Sequence, residues 1–251
     1  MARWRMTNEF YDPGSERVAK VNRLFTRIAR RYDLLNDIQS FGLHRLWKRR
    51  VVEMARANPG GRALDVCCGT GDLAFALASH GAGTVGLDFN ESMLQVAEHR
   101  KSAAPSSPKG KGVATNPVFL IGDAQQVPFP ENHFDVVTVG YGLRNLRHWQ
   151  SGLREMARVA RSGGRLLVLD FGKPDNAIWR AVYFGYLRLF VPVLGLVFCG
   201  SASAYAYILE SLRHYPAQNG VAAEMRQLGL KNVQVHNLLG GVMSINYGEK
   251  L

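Results

Sequence analysis

The chain has 251 residues, of which 47% are hydrophobic and 20% are charged, and its formal net charge is +11. This composition excludes a mainly disordered chain and a collagen-like repeat, and the length is sufficient for one large domain with a full core. The cysteines Cys67, Cys68 and Cys199 have neither a disulfide nor a zinc spacing, which favours a reducing compartment.

The N-terminal fifth of the chain is strongly basic. Residues 1–50 carry twelve Lys and Arg against five Asp and Glu, and they lack the apolar stretch of a secretory signal. The spacing predicts an amphipathic helix over 16–31 and a second helix over 43–57. The charge favours an anionic partner, either lipid headgroups or nucleic acid, although a solvated helix face would show the same pattern.

From residue 62 onwards, strand-like and helix-like segments alternate. Strands are predicted at 62–66, 84–88, 117–122, 134–139, 164–170, 232–237 and 242–247, and helices at 72–79, 91–99, 149–158, 177–197 and 217–228. This order predicts an α/β fold, a Rossmann-like doubly wound sheet of seven mostly parallel strands with helices on both faces. Residues 102–116 predict a surface insertion, and the dense apolar run at 189–199 is too short to cross a bilayer.

The clearest local motif is the stretch 63–74, where an apolar strand runs into a Gly-x-Gly turn that opens a helix. Gly69 and Gly71 can adopt positive φ and let a ligand approach the backbone, and the helix N-terminus offers unpaired N–H groups. The stretch fits the Gly-x-Gly-x-x-Ala pattern of dinucleotide sites. It also fits a turn that holds no ligand.

Acidic residues lie in or after the first three strands. Asp88 ends the second strand, where it could accept both ribose hydroxyls of an adenosine or cap the next helix. Asp123 and Ala124 follow the third strand and suit an adenine amino group over a small apolar floor. Asp65, inside the first strand, could meet the ammonium group of S-adenosylmethionine. The Asp123–Ala124 pair and Asp65 favour S-adenosylmethionine over a dinucleotide as the bound cofactor.

Several further stretches point to one family. Residues 32–47 have the pattern Tyr-Asp-x-x-Asn-x-x-x-Ser-x-Gly-x-His-Arg-x-Trp, residues 142–145 read Gly-Leu-Arg-Asn, and related stretches occur at 158–170, 205–211 and 240–246. On these motifs the chain resembles the UbiE-type C-methyltransferases of menaquinone and ubiquinone biosynthesis, which are class I S-adenosylmethionine-dependent methyltransferases. The resemblance covers about residues 16–250.

The resemblance implies a division of the chain and a set of site residues. Residues 1–57 would be a helical extension that covers the active site, and 58–251 would be the S-adenosylmethionine-binding domain, with an apolar substrate-side insertion at about 175–210. Thr70, Asp88, Asp123 and Ala124 match the family's cofactor contacts, which adds to Asp65, Gly69 and Gly71 above. Arg144, Asn145 and Tyr32 match its catalytic residues, with Tyr32 helping to cover the site.

The implied reaction is C-methylation of a prenylated quinol ring, from demethylmenaquinol to menaquinol or in the phylloquinone pathway. Loss of a phenolic proton makes the ring carbon nucleophilic. Arg144 could lower the pKa of that hydroxyl or position a water that removes the proton, and Asn145 would then orient it. The alternative is that Arg144 forms a structural ion pair with Asp123 or Asp135.

The expected partners are a prenylated naphthoquinol or benzoquinol and a membrane surface. The basic N-terminal helix and the apolar residues 184–198 suit peripheral docking on the inner face of the membrane, with the chain in the cytoplasm. The same apolar residues could instead belong to the core or to a homodimer contact. No metal is expected, because the seven histidines show no metal-binding spacing.

Four other functions stay open. These are a benzoquinol methyltransferase of the ubiquinone pathway, an RNA methyltransferase, a dinucleotide oxidoreductase and a non-catalytic scaffold with a cofactor fold. The chain shows neither a basic-aromatic RNA module nor a base-flipping motif, so no nucleic-acid partner is expected. A nicotinamide site is not recognisable either.

Overall fold

The structure is a computed structural model that describes residues 10, 12, 14–103, 115–199 and 202–251. Most of the insertion predicted at 102–116 and the first part of the basic N-terminal segment therefore lie outside the described residues. The strands are β1 (Arg62–Val66), β2 (Gly83–Asp88), β3 (Val118–Ile121), β4 (Phe134–Gly140), β5 (Ala160–Phe171), β6 (Lys231–Leu238) and β7 (Met243–Glu249).

The seven strands form one sheet in the order β3-β2-β1-β4-β5-β7-β6. All neighbouring pairs are parallel except the two that involve β7, which runs antiparallel to β5 and β6. Right-handed crossovers place the helices that follow β1 and β2 on one face and those that follow β4 and β5 on the other. The predicted Rossmann-like, mostly parallel sheet of seven strands is confirmed.

The central strands explain where a ligand can bind. Leu64 of β1 lies in register with Val137 of β4, and both side chains are fully buried, because helices cover both faces of a parallel sheet. From this pair the strand order proceeds in opposite directions across the sheet. A doubly wound sheet binds its ligands beyond the carboxyl ends of the strands at such a reversal.

The helices are α1 (Arg17–Ile28), α2 (Tyr32–Ser40), α3 (Leu43–Ala55), α4 (Asp72–Ala78), α5 (Glu91–Ala103), α6 (Trp149–Val159), α7 (Ala177–Cys199), α8 (Ala202–His214) and α9 (Ala217–Gln227). The sequence did not predict α2 or α8. Helix α2 has only nine residues and stops where Phe41 and Gly42 both adopt positive φ. The buried side of α8 includes Tyr207 and Ser211, so it lacks a clean apolar stripe.

The first three helices are joined to the sheet domain by polar contacts. The side-chain Nδ2 of Asn90, which precedes α5, donates to Oδ1 of Asn22 in α1 at 2.5 Å. Lys48 of α3 pairs with Asp72 at the start of α4, with 2.6 Å between Nζ and Oδ2. Arg17 of α1 donates to the main-chain oxygen of Arg144 at 2.6 Å. These contacts hold the N-terminal helices over the carboxyl ends of the strands.

Helix α7 has a buried and an exposed side. Tyr183, Leu187 and Val191 face inward and are buried. The α7 outer face, which we define by its exposed apolar residues, consists of Ile178, Val182, Leu189, Phe190, Val193, Leu196 and Val197. Within the described residues, Ala177–Val197 is the one helical stretch whose length and composition would allow it to cross a membrane, with a mean hydropathy of 1.4.

Candidate active site

An open cleft lies at the carboxyl ends of β1, β2 and β4, with about 910 Å³ of empty space including its mouth. We call it the cofactor cleft. The sheet side contributes Gly69, Asp88, Asp123, Ala124 and Tyr141, and α1 contributes Val18, Val21 and Phe25 from above. Sequence-predicted residues from three different strand ends therefore meet in one place, as the doubly wound topology requires.

The glycine turn forms the floor between β1 and α4. Gly69 and Gly71 have φ of +57° and +87°, in the left-handed region that favours glycine. A Cβ on Gly71 would lie 2.8 Å from the ring of Phe119, so no larger side chain fits there. The turn therefore lets a ligand approach the main chain at Gly69, which lines the cleft, without a side chain in the way.

Asp88 is fixed at the end of β2. Its Oδ2 accepts from the N–H of Gly69 at 2.8 Å, and its Oδ1 accepts from the N–H of Asn90 at 2.9 Å. Burial raises the pKa of Asp88, although these hydrogen bonds oppose that shift. Asn90, not Asp88, caps α5, because its Oδ1 accepts from the N–H of Met93. The alternative of a capping role for Asp88 is wrong.

Asp123 and Ala124 border the opposite end of the cleft. Asp123 is exposed, and its Oδ1 accepts from the N–H of Gln125 at 2.8 Å. Ala124 is buried and forms part of the wall. A carboxylate next to a small apolar wall is the arrangement predicted for an adenine ring.

Asp65 and Thr70 line a smaller space beside the cofactor cleft, together with Lys48 and Tyr141. Asp65 is fully buried, and the hydroxyl of Thr138 donates to its Oδ1 at 2.8 Å. Burial raises the pKa of Asp65 to about 7. The hydroxyl of Thr70 donates to Asp33 of α2 at 2.8 Å, so it is engaged with a covering helix.

Arg144 lies in a 3-10 turn, Leu143–Asn145, just after β4. Its Nη1 donates to Oδ1 of Asp170 at 2.7 Å, and its guanidinium lies 4.5 Å from the centre of the Phe171 ring. The predicted alternative partners were wrong: Asp123 accepts from Gln125, and Asp135 pairs with Arg161 at 2.5 Å. The ion pair of Arg144 is formed with a residue at the end of β5 instead.

The guanidinium of Arg144 is kept charged by its surroundings. Burial is the largest single influence and would lower its pKa, but Asp170, Tyr207 and Tyr32 together act in the opposite direction and the pKa is raised. Arg144 is therefore a permanent cation and cannot itself accept a proton at ordinary pH.

Asn145 and Tyr32 also lie at the cofactor cleft. The side-chain nitrogen of Asn145 donates to the main-chain oxygen of Tyr141 at 3.0 Å, and its oxygen accepts from the hydroxyl of Tyr207 at 3.1 Å. Burial raises the pKa of Tyr32 to about 12. Both ends of the Asn145 amide are engaged, so this residue holds its neighbours in place.

Two further cavities share lining residues with the cofactor cleft. The inner cavity has about 460 Å³ of empty space, including its opening, and its walls include Phe25, Tyr32, Asn36, Tyr141, Arg144, Phe171 and Tyr207. The α7 cavity has about 430 Å³ and lies under α7, where Trp47, Tyr183, Leu187 and Val191 line it. Phe25, Tyr32 and Tyr141 border both the cleft and the inner cavity, so these spaces share a wall.

The inner cavity is mainly apolar but carries buried polar atoms with no hydrogen-bond partner among the described residues. These are Nδ2 of Asn36, Nε of Arg144 and the hydroxyl of Tyr141. Sequence reasoning missed Asn36 and Tyr141, although both lie inside or next to stretches quoted above. No group of three or more potential metal ligands occurs in the described part of the chain.

Comparison with known proteins agrees with this geometry. The ubiE/COQ5 methyltransferase family matches residues 14–250. The chain is 44% identical over 241 residues to the ubiquinone/menaquinone biosynthesis C-methyltransferase UbiE of Ectopseudomonas mendocina. This alignment covers 95% of the chain and 91% of the relative. The protein of the same name from Azotobacter vinelandii is 42% identical to the chain, and the alignment covers 95% of the chain and 92% of that relative.

Solved structures share the fold at low sequence identity. Magnesium protoporphyrin IX methyltransferase of Synechocystis PCC 6803, solved with bound S-adenosylmethionine, has a TM-score of 0.65 at 15% identity and covers 96% of this chain and 100% of its own. A possible histamine N-methyltransferase of Thermotoga maritima has a TM-score of 0.61 at 18% identity and covers 91% and 99%. The chain belongs to the ubiE/COQ5 methyltransferase family and is an S-adenosylmethionine-dependent C-methyltransferase.

Proposed function

We propose that this enzyme methylates a ring carbon of a prenylated quinol, with the conversion of demethylmenaquinol to menaquinol as the main reaction. The observation that carries the proposal is the inner cavity. Its aromatic walls fit a flat ring, and its partnerless polar atoms at Asn36, Arg144 and Tyr141 fit the ring's oxygens. The cavity adjoins the cofactor cleft and shares lining residues with it, and a direct methyl transfer requires such proximity.

The residues around the cofactor cleft fit S-adenosylmethionine, which supplies an electrophilic methyl group when bound. Asp88 would accept the ribose hydroxyls, and Asp123 with Ala124 would hold the adenine. The Gly69–Gly71 turn would lie against the methionyl part, whose ammonium Asp65 would meet. Thr70 would act by fixing the turn, because its hydroxyl is bonded to Asp33.

Arg144 would stabilise the phenolate of the quinol. Because its guanidinium stays charged, it lowers the pKa of a nearby ring hydroxyl or orients a water that takes the proton, and it is not itself the base. Asn145 would position Tyr141 and Tyr207, and Tyr32 would close the ring site from the α2 side. A water-excluding cover strengthens the electrostatic effect of Arg144.

The prenyl tail would lie in the α7 cavity and leave towards the α7 outer face. The α7 cavity shares Asn36, Tyr141 and Phe171 with the inner cavity and reaches the inward side of α7. On the other side of that helix, the α7 outer face would dock on a bilayer, assisted by exposed Arg23 and Arg27 of α1. The enzyme would then act at the cytoplasmic surface of the membrane, and a homodimer through the same face is the competing arrangement.

A benzoquinol of the ubiquinone pathway is the second candidate substrate. The names of the Ectopseudomonas and Azotobacter relatives include ubiquinone as well as menaquinone. The walls of the inner cavity suit either ring. The choice between the two rings is therefore a matter for direct comparison.

The test is a methyl-transfer assay in detergent micelles with methyl-labelled S-adenosylmethionine. The acceptors are reduced demethylmenaquinone, the matching demethylated benzoquinol, the unreduced quinones and total RNA. We expect label on the ring carbon of the reduced naphthoquinol and none on the unreduced forms, because the phenolate is needed. A higher kcat/KM for the benzoquinol would establish the second candidate, and label on RNA alone or on no acceptor would refute the proposal.

A further inference from the structure

Tyr141 stands out because its main chain is strained and firmly held. It follows β4 directly and has φ of +62°, a left-handed conformation that is unusual for a bulky residue. Its N–H donates to the main-chain oxygen of Leu169 at 2.7 Å, and its own main-chain oxygen accepts from both Arg144 and Asn145. Strain that neighbouring bonds maintain is typical of residues placed for a function.

The side chain of Tyr141 ends in a hydroxyl that the fold leaves unused. The residue is buried, and the hydroxyl forms no hydrogen bond with any described residue. Burial raises the pKa of this hydroxyl well above its usual value, so it stays protonated and can donate. A buried donor without a partner is costly, which makes a ligand oxygen its natural acceptor.

The position of Tyr141 is also unusual. It lines the cofactor cleft, the inner cavity, the α7 cavity and the small space beside Asp65. The ring lies 5.9 Å from that of Phe171, and Nζ of Lys48 lies 5.7 Å from its centre. Tyr141 therefore stands where the methyl donor, the quinol ring and the prenyl tail would meet.

We propose that Tyr141 binds the quinol directly, with its hydroxyl donating a hydrogen bond to a ring oxygen, and so sets how the ring faces the methyl donor. This inference rests on the proposed quinol substrate. Arg144 would act on the ring charge from the same cavity, and Tyr141 would supply a neutral donor at the wall next to the cofactor cleft. The hydroxyl of Tyr141 contributes recognition of the acceptor.

The test compares Tyr141→Phe with the wild-type enzyme. Removal of the hydroxyl should leave the Tm unchanged or raise it, since no bond within the protein is lost. The KM for the quinol should rise and kcat/KM should fall about tenfold, the effect of one buried hydrogen bond. The Kd for S-adenosylhomocysteine should stay within about twofold.

Tyr215→Phe is the matched control. The hydroxyl of Tyr215 is also buried and without a partner in the described part of the chain, but Tyr215 lines none of the four spaces above. This variant should show the same thermal behaviour as Tyr141→Phe with unchanged kcat/KM for the quinol. A difference between two otherwise similar tyrosines would locate the effect at the substrate.

The possible outcomes separate this inference from the function on which it rests. If the wild-type enzyme methylates the quinol and Tyr141→Phe has the same kcat/KM within twofold, Tyr141 does not contact the substrate and the inference is wrong. If Tyr141→Phe loses Tm and cofactor affinity together, the hydroxyl is structural and the inference is also wrong. If the wild-type enzyme itself does not act on any quinol, the proposed function and this inference fall together.

Discussion

Arg144 and Asp170 form a buried ion pair, in which Nη1 and Oδ1 are 2.7 Å apart and the side chains are only 6% and 3% exposed. Oδ2 of Asp170 also accepts from the N–H of Arg144 at 3.1 Å. The carboxylate thus fixes both the main chain and the charge of Arg144. Because Asp170 is the second-to-last residue of β5, the position of the cation next to the inner cavity is set by the sheet.

Removal of one partner should expose how strongly the fold depends on this pair. Asp170→Asn leaves the guanidinium buried without its counter-charge, and we expect the free energy of unfolding to fall by about 3–5 kcal/mol in urea titrations. The exposed pair of Arg213 and Glu210 is the control, with Glu210→Gln expected to cost at most about 1 kcal/mol. Equal losses in the two variants would show that burial does not strengthen the Arg144–Asp170 pair.

Replacement of Arg144 should affect chemistry much more than cofactor binding. In Arg144→Ala the phenolate loses its cationic neighbour, and we expect kcat to fall about 100-fold, as when one preorganised charge-stabilising group is lost. The Kd for S-adenosylhomocysteine, measured by calorimetry, should change by less than about threefold. Arg154→Ala, on the exposed side of α6, should leave both quantities unchanged. Parallel losses of kcat and cofactor affinity in Arg144→Ala would instead indicate a structural role.

The sequence predicted which residues line the candidate cofactor cleft more completely than which residues line the inner cavity. Gly69, Asp88 and Asp123 lie at or just after the carboxyl ends of β1, β2 and β3, and the α/β topology that the strand pattern predicts brings such strand ends together. The partner of Arg144 was not predictable in this way. Asp170 lies 26 residues from Arg144, and only the pairing of β4 with β5 makes them neighbours.

The roles of α2 and Tyr141 at the site could not be predicted from the sequence, because they depend on contacts between residues that are distant along the chain. Helix α2 is too short for a clear period, and its residues Tyr32 and Asn36 take part in the site because α2 packs over the inner cavity. In the sequence, nothing distinguishes Tyr141 from other tyrosines that follow a strand. Its position between several cavities is visible only in the structure. The signature stretch around Tyr32 identified the family correctly but did not show which residues would face the ring.

Cofactor binding should depend on pH through Asp65. The pKa of this buried carboxyl is about 7 in the folded protein and near 3.8 when it is exposed, with burial the largest cause and the charges of Lys48 and Asp88 acting in opposite directions. The cofactor's ammonium favours the ionised form, so the Kd for S-adenosylhomocysteine should fall as pH rises from 6 to 8, by up to about tenfold per unit below the pKa.

Asp65→Asn gives the complementary measurement. The pKa of Asp65 is higher in the folded protein than in the unfolded chain. The stability that Asp65 contributes is therefore fully present at pH values below the unfolded-state pKa and is lost as the pH rises through about 7. Asp65→Asn should therefore have a flatter pH profile of unfolding free energy between pH 5 and 8. It should also bind S-adenosylhomocysteine more weakly and without the pH dependence. A pH profile of Kd with the same slope in wild type and variant would assign the titration to another group.

Membrane docking should depend on the α7 outer face. Leu189 and Val193 are 71% and 54% exposed, and burial of such a side chain in lipid is worth about 1.5–3 kcal/mol. Leu189→Glu and Val193→Glu should each weaken binding to vesicles that contain phosphatidylglycerol by about tenfold or more, measured by co-sedimentation. Val118→Glu on the edge strand β3, where Val118 is 52% exposed, should bind as the wild type does. If the α7 variants keep vesicle binding but shift the protein from dimer to monomer in light scattering, the α7 outer face contacts a second copy of the chain and not the bilayer.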